Sequence, residues 1–157
     1  MAETIIAPLP ADISLRPAQA ADQATIHDLV QANQLNPLSL KWQHFIVAVN
    51  SSGQIVGIGQ IKTHGDGSRE LASIAVVPSR RRQGIAQAII LQLLQSSQPP
   101  LYLTCRAAMG PFYARFGFAE VSIEKMPPYF RRIYRLARLL MRAARSEAQM
   151  LVMGWLA

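Results

Sequence analysis

Between residues 44 and 77 the chain lays down three apolar segments whose connections are too short for a crossover. Residues 44–49 are the first. Ser51-Ser52-Gly53 turns into residues 54–63, and His64-Gly65-Asp66-Gly67 turns into residues 69–77, which Pro78 ends. Strands joined this tightly run antiparallel, because a parallel return needs a dozen residues or more. At Gly84 the period changes. Ile85, Ala88, Ile89, Leu91, Leu93 and Leu94 predict a helix to about Gln95, and Pro99-Pro100 stops it. Residues 101–104 read as a short strand, 109–116 as a short helix with Gly117 just past its end, and 118–124 as another strand. Pro127-Pro128 opens a helix over about 129–148, and residues 150–155 form a closing strand. Upstream, residues 13–16 read as a strand. A helix capped by Asp22 carries Ile26, Leu29 and Val30 on one face. The expected fold is α/β (α+β): a mixed, mostly antiparallel sheet of six to seven strands flanked by helices. It forms one domain over 13–157 behind a loose tail, 1–12.

Half of the 157 residues are apolar, which excludes a disordered chain. No apolar run is long enough to span a bilayer, and the first residues lack a secretory pattern. A soluble cytoplasmic protein is expected. One cysteine, Cys105, excludes a disulfide framework and a cysteine zinc site. His27, His44 and His64 stand singly without metal-ligand spacing, so no metal is expected.

Chemistry concentrates in Val76-Val77-Pro78-Ser79-Arg80-Arg81-Arg82-Gln83-Gly84-Ile85-Ala86-Gln87, between a strand and a helix. A helix start presents backbone N–H groups without intrahelical partners at the positive end of its dipole. Small residues at 84 and 86 let phosphate oxygens approach, and arginines add forked donors. The same residues also fit an ordinary turn carrying solvated arginines.

Arg81, Gly84 and Ala86 match the Arg/Gln-x-x-Gly-x-Gly/Ala phosphate loop of the GNAT acyl-CoA N-acyltransferases, which the chain resembles. Phe112-Tyr113-Ala114-Arg115-Phe116-Gly117-Phe118 matches the family's aromatic-Tyr-x-x-x-Gly-Phe segment, in the same order and at the expected separation. The resemblance covers about 13–155 and implies an N-acetyltransferase carrying an acetyl group from acetyl-CoA to a primary amine by direct attack in a ternary complex. It implies that strand 71–77 splays from strand 101–104 to admit acyl-CoA. Backbone at Ile74, Ala75 and Val76 would then pair with pantetheine, and the Val76 N–H would face the thioester oxygen. The amides of Arg82, Gln83, Gly84, Ile85, Ala86 and Gln87 would hold the diphosphate. Tyr113 would protonate the leaving thiolate. Glu70, six residues before Val76, corresponds to the general base of histone-type members; it also reads as a strand-end glutamate paired with Arg69 or Arg16. Phe112 would border the coenzyme. Arg106 replaces the family's usual asparagine seven residues before the tyrosine. Cys105 reads as a small hydrophobe rather than a nucleophile. The acceptor pocket would draw on 33–45, notably Trp42, and on 125–134, notably Tyr129 and Phe130.

Net charge is +7, and residues 126–157 supply six arginines against one glutamate. Arg131, Arg135, Arg138, Arg142 and Arg145 recur at helical spacing along one face. They form either a solvated face or an attractor for an anionic acceptor, an acidic partner, nucleic acid or an anionic membrane. The expected partners are a small-molecule or protein amine; a homodimer is compatible with this pattern. The alternative function is an inactive GNAT-like CoA-binding module whose arginine helix binds nucleic acid or an acidic partner.

Overall fold

Among the described residues, local patterning becomes seven strands and four α-helices. The computed structural model describes residues 7–157. In chain order they are β1 (Ser14–Pro17), α1 (Gln23–Ala32), β2 (Phe45–Val49), β3 (Ile55–Thr63), β4 (Arg69–Val76), α2 (Ile85–Gln95), β5 (Leu101–Arg106), α3 (Gly110–Ala114), β6 (Ala119–Glu120), α4 (Pro128–Ala143) and β7 (Met150–Trp155). The seven strands form one sheet in the order β1-β2-β3-β4-β5-β7-β6. Its parallel pair is β4 with β5, where Glu70 faces Tyr102. By contact density the chain divides into two units, one running to Lys62 with Leu71–Ser97, the other Thr63–Glu70 with Gln98–Ala157.

In the first unit, β1 pairs antiparallel with β2 (Ser14 opposite Val49), and β2 with β3 (Phe45 opposite Gln60). Ile26 and Val30 of α1 pack on Phe45, Val47, Ile58 and Ala75. Helix α2 buries Ile85, Ile89, Ile90 and Leu93, a stripe at i, i+4, i+5 and i+8. It lies close on β3 because two glycines leave room. A Cβ on Gly59 would sit 2.6 Å from Ile89 Cγ2 and 2.7 Å from Ile74 Cδ1, and one on Gly57 2.9 Å from Ile85 Cγ2. Residues 1–6 of the expected tail lie outside the described residues. Asp12 pairs with Arg80 at 2.7 Å, and Ala7 approaches Gly84.

In the second unit, β7 pairs antiparallel with β5 (Leu101 opposite Trp155) and with β6 (Ala119 opposite Gly154). Val121, Met126, Phe130 and Val152 form its core, with Tyr102, Tyr129, Ile133 and Tyr134 against them.

Two elements are shorter than the sequence pattern predicts. The strand expected over 118–124 pairs only at Ala119–Glu120, and a 3-10 turn at Ile123–Lys125 then carries Met126 into the core. The helix expected to 148 ends at Ala143. Arg145 takes a left-handed conformation (φ 49°), its N–H bonds to the Arg142 carbonyl, and the Ser146 N–H reaches back to Met141 at 2.9 Å. This is a Schellman closure built on arginine instead of glycine.

Candidate functional site

The first unit carries the phosphate-loop residues. After β4, a 3-10 turn at Pro78–Arg80 leads to Arg82 and Gly84, both left-handed (φ 62° and 81°), and then to α2. The first intrahelical bond runs from Ala88 N–H to Gly84 O, so the amides of Ile85 and Ala86 at the helix start have no carbonyl within the helix. Left-handed turn residues beside a helix start gather N–H groups on one side, and that arrangement fits a diphosphate. Arg81 is committed elsewhere. Its Nε donates to the Val76 carbonyl at 3.2 Å and its Nη2 to Asn33 Oδ1 at 3.0 Å, while Asn33 is itself bonded to the Leu29 carbonyl. Arg81 therefore ties the loop to the ends of β4 and α1.

Strand β4 is distorted at Ser73, which sits at φ 57°, a conformation that side chains ordinarily avoid inside a strand. Gln60 of β3, fully buried, donates from Nε2 to Ser73 Oγ at 2.8 Å. Among the described residues its Oε1 has no hydrogen-bond partner. The distortion directly precedes Ile74, Ala75 and Val76, the expected pantetheine contacts. Strain held by a buried polar contact at such a position is common in functional segments.

The second unit gathers a polar cluster. His64 Nε2 lies 2.7 Å from Glu70 Oε2, and only 12% and 11% of the two side chains are exposed. The His64 ring stacks on Tyr129 at 3.5 Å between centroids and meets the edge of Phe130 at 5.7 Å. Asp66, in the same turn, accepts the Tyr129 N–H at 2.9 Å, and so bonds to the first turn of α4. The Ser68 hydroxyl, foremost, and this amide hold the Asp66 carboxyl down to about 2. Burial, then the Glu70 charge, raises the Tyr129 phenol above its ordinary value. Of the two partners expected for Glu70, Arg16 is bonded to Asp22 at 2.7 Å, and Arg69 donates to the carbonyls of Gln98 and Pro100. Glu70 pairs with His64, a residue the sequence pattern left as a lone histidine.

Tyr113 of α3 is largely buried between Phe112 (5.1 Å) and Phe118 (6.4 Å), both edge-on. Burial, with the Cys105 sulfur adding to it, pushes the Tyr113 phenol up to about 12. Burial also raises the Cys105 thiol, whose Sγ lies 3.8 Å from Met153 Sδ, so it is a neutral packing group at neutral pH. Arg106 is exposed at the end of β5. Phe112 packs on Phe116 at 5.3 Å beneath the Arg115 guanidinium.

The expected acceptor residues have different settings. Tyr129 is half-buried over His64, whereas Phe130 is fully buried and supports His64 and Tyr102 from the core. Trp42 belongs to the first unit. Its backbone N–H is held by Gln23 Oε1, and it packs on the core under α1. Among the described residues no group of acidic, cysteine and histidine side chains could hold a metal.

Comparison with known proteins follows the same lines. Residues 41–120 match the family model described as an acetyltransferase (GNAT) domain. No curated protein matches. N-acetylglutamate synthase from Neisseria gonorrhoeae, solved with coenzyme A and L-arginine, superposes with a TM-score of 0.68 at 20% identity, over 90% of this chain and 33% of that one. The chain thus spans about a third of that enzyme's length. Rv2747 from Mycobacterium tuberculosis, solved with CoA, gives 0.65 at 22% identity over 88% of this chain and 97% of that one. Ard1 from Thermoplasma volcanium gives 0.61 at 14% over 92% and 97%. Identities this low speak for the fold alone, but the family match covers half the sequence: the chain belongs to the GNAT acetyltransferase family.

Proposed function

We propose that residues 13–157 act as one cytoplasmic N-acetyltransferase domain that moves an acetyl group from acetyl-CoA to a primary amine. The observation that carries this reading is the start of α2, where Arg82 and Gly84 are left-handed and the amides of Ile85 and Ala86 precede the first intrahelical bond. Acetyl-CoA supplies an activated thioester; the chain's residues bind, orient and handle protons. The amides of residues 82–87 take the diphosphate. Backbone at Ile74, Ala75 and Val76 orients the pantetheine, with the Val76 N–H directed at the oxygen where charge develops.

An alkylammonium cannot attack, so one proton must leave the acceptor. Glu70 receives it, directly or through water. His64 is a positioning residue whose Nε2, 2.7 Å away, holds the carboxylate in place. Tyr113 serves the departing sulfur. A phenol near 12 lies more than three units above an ordinary thiol at about 8.5, so full proton transfer would cost roughly 5 kcal/mol. Tyr113 therefore donates a hydrogen bond to the departing thiolate and keeps its proton, and the thiolate takes its proton from solvent water. Tyr129, over the His64–Glu70 pair, contacts the acceptor. Phe112 and Arg106 contact the coenzyme. The N-acetylglutamate synthase neighbour, solved also with N-acetyl-glutamate, puts amino-acid α-amines first among acceptors to screen.

The test is thiol release from acetyl-CoA across amino acids, polyamines, peptide N-termini and lysine peptides, beside a thermal melt with the coenzyme. Turnover with one acceptor class and a raised melting temperature are expected. Neither a melting shift nor thiol release with any amine would sink the reading.

A further inference from the structure

Helix α4 changes character halfway. Phe130 is buried and Ile133 and Tyr134 pack on the second unit's core, yet no residue from Arg135 to Gln149 is buried. Leu136, Leu139 and Leu140 are 56%, 65% and 60% exposed. At 3.6 residues per turn, Leu136, Leu140 and Ala143 share one side with Leu139 next to them, and Arg135, Arg138 and Arg142 run along the adjoining side. Arg131 is not part of this surface, since its guanidinium clamps the carbonyls of Ile123, Glu124 and Met126.

We propose that this free half of α4 lies on an anionic lipid surface, its leucines entering the headgroup–acyl boundary and its arginines meeting lipid phosphates and carboxylates. Charge selects the occupant. No acidic residue occurs from Lys125 to Ser146. A symmetric contact with a second copy would press arginine rows together with no carboxylate to offset them. Every residue from Arg131 to Arg145 is Arg, Leu, Ala, Ile, Met or Tyr, so the face has no neutral hydrogen-bonding side chain besides tyrosine with which to specify a folded partner. A fluid layer of negative headgroups needs no such match. Nucleic acid would leave the leucines in water. No described helix is long and apolar enough to cross a membrane, so the contact is with the surface.

The test is co-sedimentation of the full chain with phosphatidylcholine vesicles, alone or with roughly one-third phosphatidylserine. Binding is expected only to the anionic vesicles, weakening as salt rises. Leu136→Ser/Leu139→Ser/Leu140→Ser should lower partitioning about tenfold or more, and each of Arg135→Glu, Arg138→Glu and Arg142→Glu about fivefold, with unchanged melting temperatures because these side chains are exposed. Absence of binding to anionic vesicles overturns the proposal. So does binding that ignores the leucine changes, a dimer that the leucine variant dissociates, or equal retention on polyglutamate or duplex DNA.

Discussion

At the scale of single residues, the proposed proton handling is tested at His64, Glu70 and Tyr113. On the proposed mechanism, Glu70→Gln should lower kcat on the order of 10²-fold. His64→Gln, which removes the 2.7 Å partner of the carboxylate, should lower kcat by less, and a kcat unmoved by Glu70→Gln places the base elsewhere. Tyr113→Phe should lower kcat on the order of 10²-fold with little change in KM, measured by thiol release. The two sites were not equally legible in the sequence. Tyr113 and Gly84 stand inside local spacings whose chemistry a reader can name. The partnership of His64 with Glu70 depends on a turn folding back, with His64 N–H bonded to Ser68 O at 2.8 Å, and the five intervening positions carry no periodic trace of it. Ser73 gave no signal either. Its left-handed backbone accompanies a tertiary hydrogen bond from Gln60, and nothing in Leu-Ala-Ser-Ile signals it.

At the scale of elements, close approach and helix closure set the vulnerabilities. Gly59→Val would drive a side chain into Ile89 and Ile74, forcing α2 away from β3. A loss of about 1–3 kcal/mol in denaturant stability is expected, with weaker coenzyme binding because α2 carries the amides. Arg145→Gly should do the opposite, relieving a left-handed arginine at the end of α4 and adding about 0.5–1 kcal/mol. The strand and helix pattern was readable to within one or two residues for β2, β3, β4, α2 and β7, whose periods are long and bounded by turn residues or proline. It overran at β6 and at the end of α4. Alternation at 118–124 could not reveal that Met126 is needed in the core, and no glycine marks the residue that closes α4.

At the scale of the whole molecule, stability should depend on pH at both extremes. Asp66 ionises near 2 in the fold against 3.8 ordinarily, so its contribution is complete above about 4 and disappears as pH falls toward 2. Asp22, lowered chiefly by the Arg16 hydrogen bond, acts in the same direction. Tyr113, raised from 10 to about 12, favours the fold below about 10 and ceases to do so as pH climbs toward 12, a change of roughly 2–3 kcal/mol. Melting temperature against pH should show a plateau with two shoulders, and Tyr113→Phe should shrink the alkaline one, leaving the smaller part that the raised Tyr129 and Cys105 supply. The tether from Asp66 to Tyr129 has a mechanical corollary. One end of α4 is tied beside the His64–Glu70 pair, and beyond Tyr134 the helix buries no residue. A surface that took hold of the proposed lipid-facing half would therefore act, along one rigid helix, on the residue that rests on the imidazole.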